Sequence, residues 1–342
     1  MTKRVSRRQC LVAGLGAQFP LLPGAAQAQA QTQTQTQRSA QPLWPNRPIR
    51  LTVVYPPGGI SDLVARALAE HLSLALSVPV LVEHRAGAGG STGMEALAKD
   101  KPDGYTLAFS AITPLTLNPW LGRVAYDSAS DFTPLASVMH TPVLLVATPA
   151  FAAKTLTAAV QMARAKPGSV RWASSGFGTT GHLVLEQVQL ASGARFNHIP
   201  YKGGGQQLTD ALSGQFELLS TNLGPQQLQY LRSGRLTALA VGAPRRLTSL
   251  PELPTFAEAG FAAANLSSLF GIFGPPKLPA VIAARLNAEI NQALLTPAMQ
   301  HLLLSIDNLP AGGTSAEFSH EISHASTQNR RMIEAAGLQA ER

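Results

Sequence analysis

The chain is 342 residues long, 45% hydrophobic and 13% charged, a composition with enough apolar surface for two core-forming lobes, which argues against a disordered chain. Its formal net charge of +8 is unevenly placed: Lys3, Arg4, Arg7 and Arg8 fall within the first ten residues, and the first acid is Asp62. Without that segment the excess is +4 and scattered, with no basic run interleaved with aromatics, which sets nucleic acid aside as a partner.

Residues 1–30 have the parts of an export signal: a basic start, an apolar stretch from Leu11 to Ala26, and small-residue sites at Ala26-Gln27-Ala28 or Ala28-Gln29-Ala30. Ser6-Arg7-Arg8-Gln9-Cys10-Leu11 resembles a twin-arginine signal with Cys10 where a Phe is usual, so the export route stays open. The only cysteine, Cys10, lies inside this segment. A mature chain beginning after it has no thiol, which excludes disulfides, cysteine catalysis and thiolate metal sites. No later stretch offers about 18 uninterrupted apolar residues, so the mature protein is expected to be periplasmic and not to span a membrane.

Gln31 to Gln37 alternates Gln and Thr and has nothing to bury; residues 31–43 read as a flexible linker before a folded body that begins near Trp44. From there the pattern predicts a strand at Ile49–Tyr55 and a helix at Ser61–Leu76, with Leu63, Val64, Ala67, Leu68, Leu72 and Ala75 on one side and Arg66 and Glu70 on the other. A strand at Val80–Glu83, a helix from Thr92 to Lys99 and a strand at Tyr105–Phe109 follow. Further strands are predicted at Val143–Ala147, Val170–Ser174, Asn197–Pro200, Phe216–Ser220, Leu236–Val241 and Phe270–Phe273. The helices between them close at Pro167-Gly168, Gly193, Gly214 and Gly234, where glycine supplies a left-handed cap. Such alternation implies mostly parallel sheets, two at this length, with helices on both faces. From Ala280 onward the chain reads as helices only.

Three loops share one design, a strand running through glycines into a helix start: Pro56 to Asp62, Arg85 to Thr92, and Ser174 to His182. Bare glycines let backbone N–H groups approach a ligand, and a helix start adds free donors and the positive end of its dipole. Each loop is therefore a candidate anion cradle; each is also an ordinary tight turn at the carboxyl end of a strand, where open α/β sheets bind their ligands.

Other motifs weigh less. Gly176-Phe177-Gly178-Thr179-Thr180-Gly181 fits a dinucleotide fingerprint, but Asn197 and His198 stand where the ribose-binding acid belongs. Gly89-Gly90-Ser91-Thr92-Gly93 fits a nucleophile elbow, with His182 or His198 as its base, but its serine follows a long glycine loop rather than a sharp turn. The eight histidines show no ligand spacing apart from His320 and His324 on a polar helix, so no metal is expected. Lys202, beside the wall candidate Tyr201, reads as a solvated surface charge.

Trp44-Pro45-x-x-Pro48-Ile49, the Pro56 to Asp62 loop, Glu83-x-Arg85-x-Gly87-Ala88-Gly89-Gly90, Pro102-Asp103-Gly104-Tyr105, His198-Ile199-Pro200-Tyr201-Lys202-Gly203 and Leu286-Asn287-x-x-x-Asn291 occur in that order. Together they resemble the Bordetella uptake (Bug) family, the TctC-like solute receptors of tripartite tricarboxylate transporters. The resemblance implies an α/β type II periplasmic-binding-protein fold, with one lobe of residues 44–145 plus 265–342, a second of 146–264, and a ligand cleft between them. It implies a small carboxylate as ligand, no cofactor, no catalytic residue, and the membrane subunits of such a transporter as partners.

Carried over by position, the contacts are Gly59, Ser61, Asp62, Ser110 and Thr113 from one lobe, and Ser175, Gly176, Phe177, Gly178, Thr179, Thr180, His182, Tyr201 and Asn222 from the other. Asp62 would repel an anion and is better suited to capping a helix. Ile60-Ser61 replaces the usual Ala-Thr, Phe177 brings an aromatic ring, and Ser220-Thr221-Asn222 lacks the acid that often precedes the Asn; these departures bear on which ligand is taken. Two other functions remain open at this stage: a sensor that reports the ligand to a membrane signalling protein, and a periplasmic hydrolase built on Ser91.

Overall fold

The computed structural model describes residues 44–122 and 124–338; the expected export signal and the linker at 31–43 lie outside the described residues. In chain order the strands are β1 (Ile49–Val53), β2 (Val80–His84), β3 (Thr106–Ala111), β4 (Thr133–Ala147), β5 (Arg171–Ser174), β6 (Asn197–Pro200), β7 (Leu218–Asn222), β8 (Thr237–Gly242), β9 (Ser267–Gly274) and β10 (Leu309–Pro310). The helices are α1 (Ile60–Leu76), α2 (Ser91–Ala98), α3 (Thr113–Thr116), α4 (Asn118–Leu121), α5 (Leu156–Ala165), α6 (Thr180–Ser192), α7 (Gly204–Leu212), α8 (Pro225–Arg232), α9 (Ala280–Leu295), α10 (Pro297–Leu304) and α11 (Ser315–Ala336).

These elements form an α/β body around two sheets that share one strand. The path is β2-β1-β3-β9-β4-β7-β5-β6, with β8 and β10 also paired to β4. The 15-residue β4 changes sheet along its length: Thr133 to Pro142 pair with β9, and Val143 to Ala147 pair with β7 and β8. Within the first sheet β1 runs parallel to β2 and β3, and within the second β5 runs parallel to β6 and β7.

The other five pairings are antiparallel, so the expectation of mostly parallel sheets is corrected to mixed ones. The physical reason is that β4, which the two sheets share, and its neighbour β9 run against the strands beside them, and local βα alternation reports nothing about such a return. The expectation of a purely helical tail also fails by one short element, because Leu309 and Pro310 pair antiparallel with β4.

Local chemistry explains most boundaries. The first turn of α1 follows the glycines at 58 and 59, and its core stripe is Val64, Ala65, Leu68, Ala69, Leu72 and Leu76; Leu63, expected on that stripe, is instead exposed. α6 ends at Gly193, whose φ of 68° is the left-handed conformation expected of a glycine cap. Each sheet carries an aromatic core: Phe109 stacks on Phe270 at 5.7 Å in the first, and Trp172 meets Phe196 edge-on at 5.0 Å in the second. Burying such a ring contributes about 1.5–3 kcal/mol, which keeps the strand ends that carry the site in place. Among the described residues no helix is long and apolar enough to cross a membrane, and no three His, Cys, Asp or Glu side chains group as metal ligands.

Candidate functional site

A cavity of about 340 Å3 opens where the carboxyl ends of β1 and β3 face those of β5 and β7. One wall is Tyr55, Pro56 and Gly58 to Leu63 with Arg66, Ala111 and Thr113; the other is Ser175, Thr179 to Gly181, Gly203, Gly204, and Ser220 to Asn222. Val143 on β4 and Ser268 and Phe270 on β9 complete the lining together with Gly224 to Gln227 at the start of α8.

Four helices of eight residues or more, α1, α6, α7 and α8, begin at this cavity. In α1, α7 and α8 the residue before the helix is a glycine, Gly59, Gly203 or Gly224, with no side chain to cap the first turn. The opening N–H groups of a helix have no partner within it and carry its positive partial charge, so these starts leave donors for an anion. Only α6 is capped, by the Thr179 hydroxyl on the His182 N–H.

Formal charge is sparse. Among the lining residues only Asp62 and Arg66 are charged, and they pair with each other at 2.9 Å. Asp62 is the third residue of α1 rather than its cap, because the helix begins at Ile60. Its Oδ2 reaches back to accept the Gly58 N–H at 3.0 Å, and its Oδ1 also meets His84 Nε2 at 2.9 Å. Burial alone would raise the Asp62 pKa, but the Gly58 bond, His84 and Arg66 outweigh it and hold the carboxyl below its ordinary value. Asp62 thus shapes the glycine loop and is neutralised by its neighbours. Tyr55 is pushed up to about 12 by burial, partly offset by bonds to Ser110, Thr113 and Ala111, so its hydroxyl stays protonated as a neutral group.

Of the residues expected from sequence, Gly59, Ser61, Asp62, Thr113, Ser175, Thr179, Thr180 and Asn222 line the cavity. Ser110, Gly176, Phe177, Gly178, His182 and Tyr201 do not. Ser110 is fully buried and donates to Ala111 O. Phe177 is 52% exposed and lies against His182 outside the cavity. Gly176 sits so close to Tyr201 O that a methyl group there would approach it to 2.8 Å, and one at Gly178 would overlap the Asn118 side chain. Tyr201 turns to α7, donating its hydroxyl to Asp210 at 2.7 Å, and Lys202 is exposed.

His182 is buried, stacks on His198 at 4.4 Å and faces Glu186 at 3.4 Å; His198 in turn contacts Ser174 Oγ at 2.8 Å. Both histidines therefore serve the base of the Ser174 to His182 loop. Ser91 Oγ accepts from Asn118 Nδ2 at 2.7 Å and from the Tyr126 hydroxyl at 3.0 Å, with no histidine among its hydrogen-bond partners in the described residues.

Sequence reasoning missed Arg66, Val143, Thr221, Gln226, Gln227, Ser268 and Phe270 as lining residues. Gly224-Pro225 was a readable helix start, glycine then proline at the first helical position, that points to Gln226 and Gln227. Ser268 and Phe270 had no such signal, since only the pairing of β9 with β3 and β4 brings them in.

Comparison with known proteins agrees with this architecture. The chain is 38% identical over 258 residues to protein BugT of Bordetella pertussis, an overlap covering 75% of this chain and 79% of BugT. Its structure matches that of the periplasmic binding protein BugD with a TM-score of 0.82 and 25% identity, over 86% of this chain and 99% of BugD. An R. palustris protein solved with adipate gives a TM-score of 0.82 and 29% identity, over 86% of this chain and 98% of that one. The fold is thus the two-lobed α/β fold of periplasmic binding proteins. Residues 64–338 match the family described as "Tripartite tricarboxylate transporter family receptor", and the chain belongs to that family of solute receptors.

Proposed function

We propose that the protein is a periplasmic receptor that captures a small carboxylate by closing its two lobes and delivers it to the membrane subunits of a tripartite tricarboxylate transporter. The observation that carries this reading is the convergence of four helix starts, three of them entered through uncapped glycines, on one cavity of nearly balanced charge. Such a site holds an anion by fixed N–H donors and hydroxyls, and water-excluding closure strengthens each bond. Binding of adipate by a protein 29% identical to this chain supports the same ligand class.

The lobes are residues 44–145 plus 265–342 and residues 146–264. β4 changes sheet between Pro142 and Val143, three residues before the first of those limits, and β9 returns to the first sheet from Ser267, two residues after the second. Gly59, Ser61 and Thr113 act from the first lobe and Ser175, Thr179, Thr180 and Asn222 from the second. Contacts available from both sides only in the closed form make the ligand favour closure.

The test is thermal denaturation of the mature protein against succinate, glutarate, adipate and benzoate, confirmed by calorimetry. Binding raises the melting temperature by mass action, by about 5 °C or more at ligand a hundredfold above Kd. No shift with any acid overturns the carboxylate reading. Normal uptake of the bound acid by a strain lacking the protein overturns the delivery step.

A further inference from the structure

We infer that the cavity takes a carboxylate whose remaining atoms carry no positive charge, and that it rejects the 2-amino counterpart of each acid it binds. This rests on the carboxylate-receptor reading and concerns which carboxylates enter. An ammonium group removed from water needs a carboxylate, or several free acceptors, to replace its hydration. Among the described residues lining the cavity the sole acid is Asp62, and both its oxygens are committed. Oδ2 accepts the Gly58 N–H at 3.0 Å, while Oδ1 meets Arg66 Nε and His84 Nε2, each at 2.9 Å.

Two of the neutral acceptors already take hydrogen bonds from the protein. Thr221 Oγ1 accepts the side-chain amides of Gln207 and Gln227 at 3.2 Å each, and Asn222 Oδ1 accepts the Ser268 hydroxyl at 2.8 Å. Asp210, on α7, takes the Tyr201 hydroxyl and the Gln206 amide, each at 2.7 Å, and does not line the cavity. What the site has in surplus is positive potential from four helix starts. A ligand ammonium would face that potential without a counter-charge, whereas a methylene or hydroxyl in its place would not.

Calorimetry of the mature protein with matched pairs tests this: succinate and aspartate, glutarate and glutamate, adipate and 2-aminoadipate. Each acid that binds is expected to do so about 100-fold more tightly than its amino partner. An amino acid that binds as tightly as its deaminated partner overturns the inference. A panel in which no acid binds overturns the receptor reading itself, and the inference with it. Thr221→Asp places a carboxylate under the amides of Gln207 and Gln227 and is expected to narrow the gap to within about tenfold. A folded variant with the gap unchanged overturns the assigned cause, and should the variant not fold, the wild-type pairs decide alone.

Discussion

The loops Pro56 to Asp62 and Ser174 to His182 are built from the same ingredients, yet they do different work. The first presents Gly58, Gly59, Ile60 and Ser61 to the cavity and is held from behind by Asp62. The second gives the cavity only Ser175 and Thr179 to Gly181, while its middle packs outward: a methyl group at Gly89 would approach Phe177 O to 2.6 Å, and one at Gly178 would meet Asn118. A glycine loop before a helix is therefore either a cradle or a seat for another segment of the chain, and only the tertiary partner decides which.

The largest expected effect comes from disturbing a seat. Gly203 lies against Pro56 of the opposite wall, and a methyl group there would overlap the Pro56 ring. Gly203→Ala is expected to weaken ligand binding by about 100-fold, since closure loses a contact and the φ of 147° strains any side chain. Pro56→Ala in the same chain separates the two causes. Recovery of at least tenfold in calorimetry assigns the loss to lobe closure; no recovery assigns it to backbone strain and removes Gly203 from the seats.

The two loops also differ in what acid does to them. Burial, helped by the nearby His182, lowers the His198 pKa from 6.5 to about 4. Between those values the unfolded chain binds a proton that the folded chain refuses, so stability falls as pH is lowered through this window. Asp62 behaves in the other range: its carboxyl is held below 3.8, so its stabilisation is present above that value and is lost as pH falls through the folded one. Melting temperature followed from pH 7 to 3 is thus expected to decline first through the second loop and only later through the first. His198→Gln flattens the upper part. Asp62→Asn, which leaves Gly58, Arg66 and His84 with a weaker acceptor, costs about 1–3 kcal/mol at pH 7 and flattens the lower part. A His198→Gln profile parallel to wild type between pH 6.5 and 4 would refute the order.

Much of this was legible in the residues, for reasons that also mark the limit. The βα units were visible because buried strands bounded by glycine have few alternatives, and the cavity's hydroxyls were visible because they follow those strands directly. Thr133 to Pro142 of β4 escaped because Pro134 and Pro142 interrupt the pattern; the ladder tolerates irregularity there, with register shifts at Pro134/Ala136 and Ser137/Met139. Several motif residues proved to be structural: Asn287 bonds Leu135 O and Gly313 O, Asn291 bonds Gly313, and Tyr105 packs on Trp44. Their recurrence in order marked the family without marking the site.

Phe177 gives the smallest effect and the sharpest check on the comparison. From sequence, an aromatic ring inside a glycine loop at a strand end reads as a wall of the ligand pocket. In the structure the ring lies outside the cavity, half exposed, against the face of His182, with only its backbone carbonyl turned to Gly89. Removing the ring keeps that carbonyl and the course of the loop, and it leaves His182 its stack on His198 and its contact with Glu186. Phe177→Ala is therefore expected to change ligand affinity by less than about twofold and to cost about 1 kcal/mol of stability, the size of the half-exposed aromatic pair with His182 that it removes. A tenfold loss of affinity in the folded variant would mean that the ring turns into the cavity when ligand binds, and the second loop would then count as a cradle like the first.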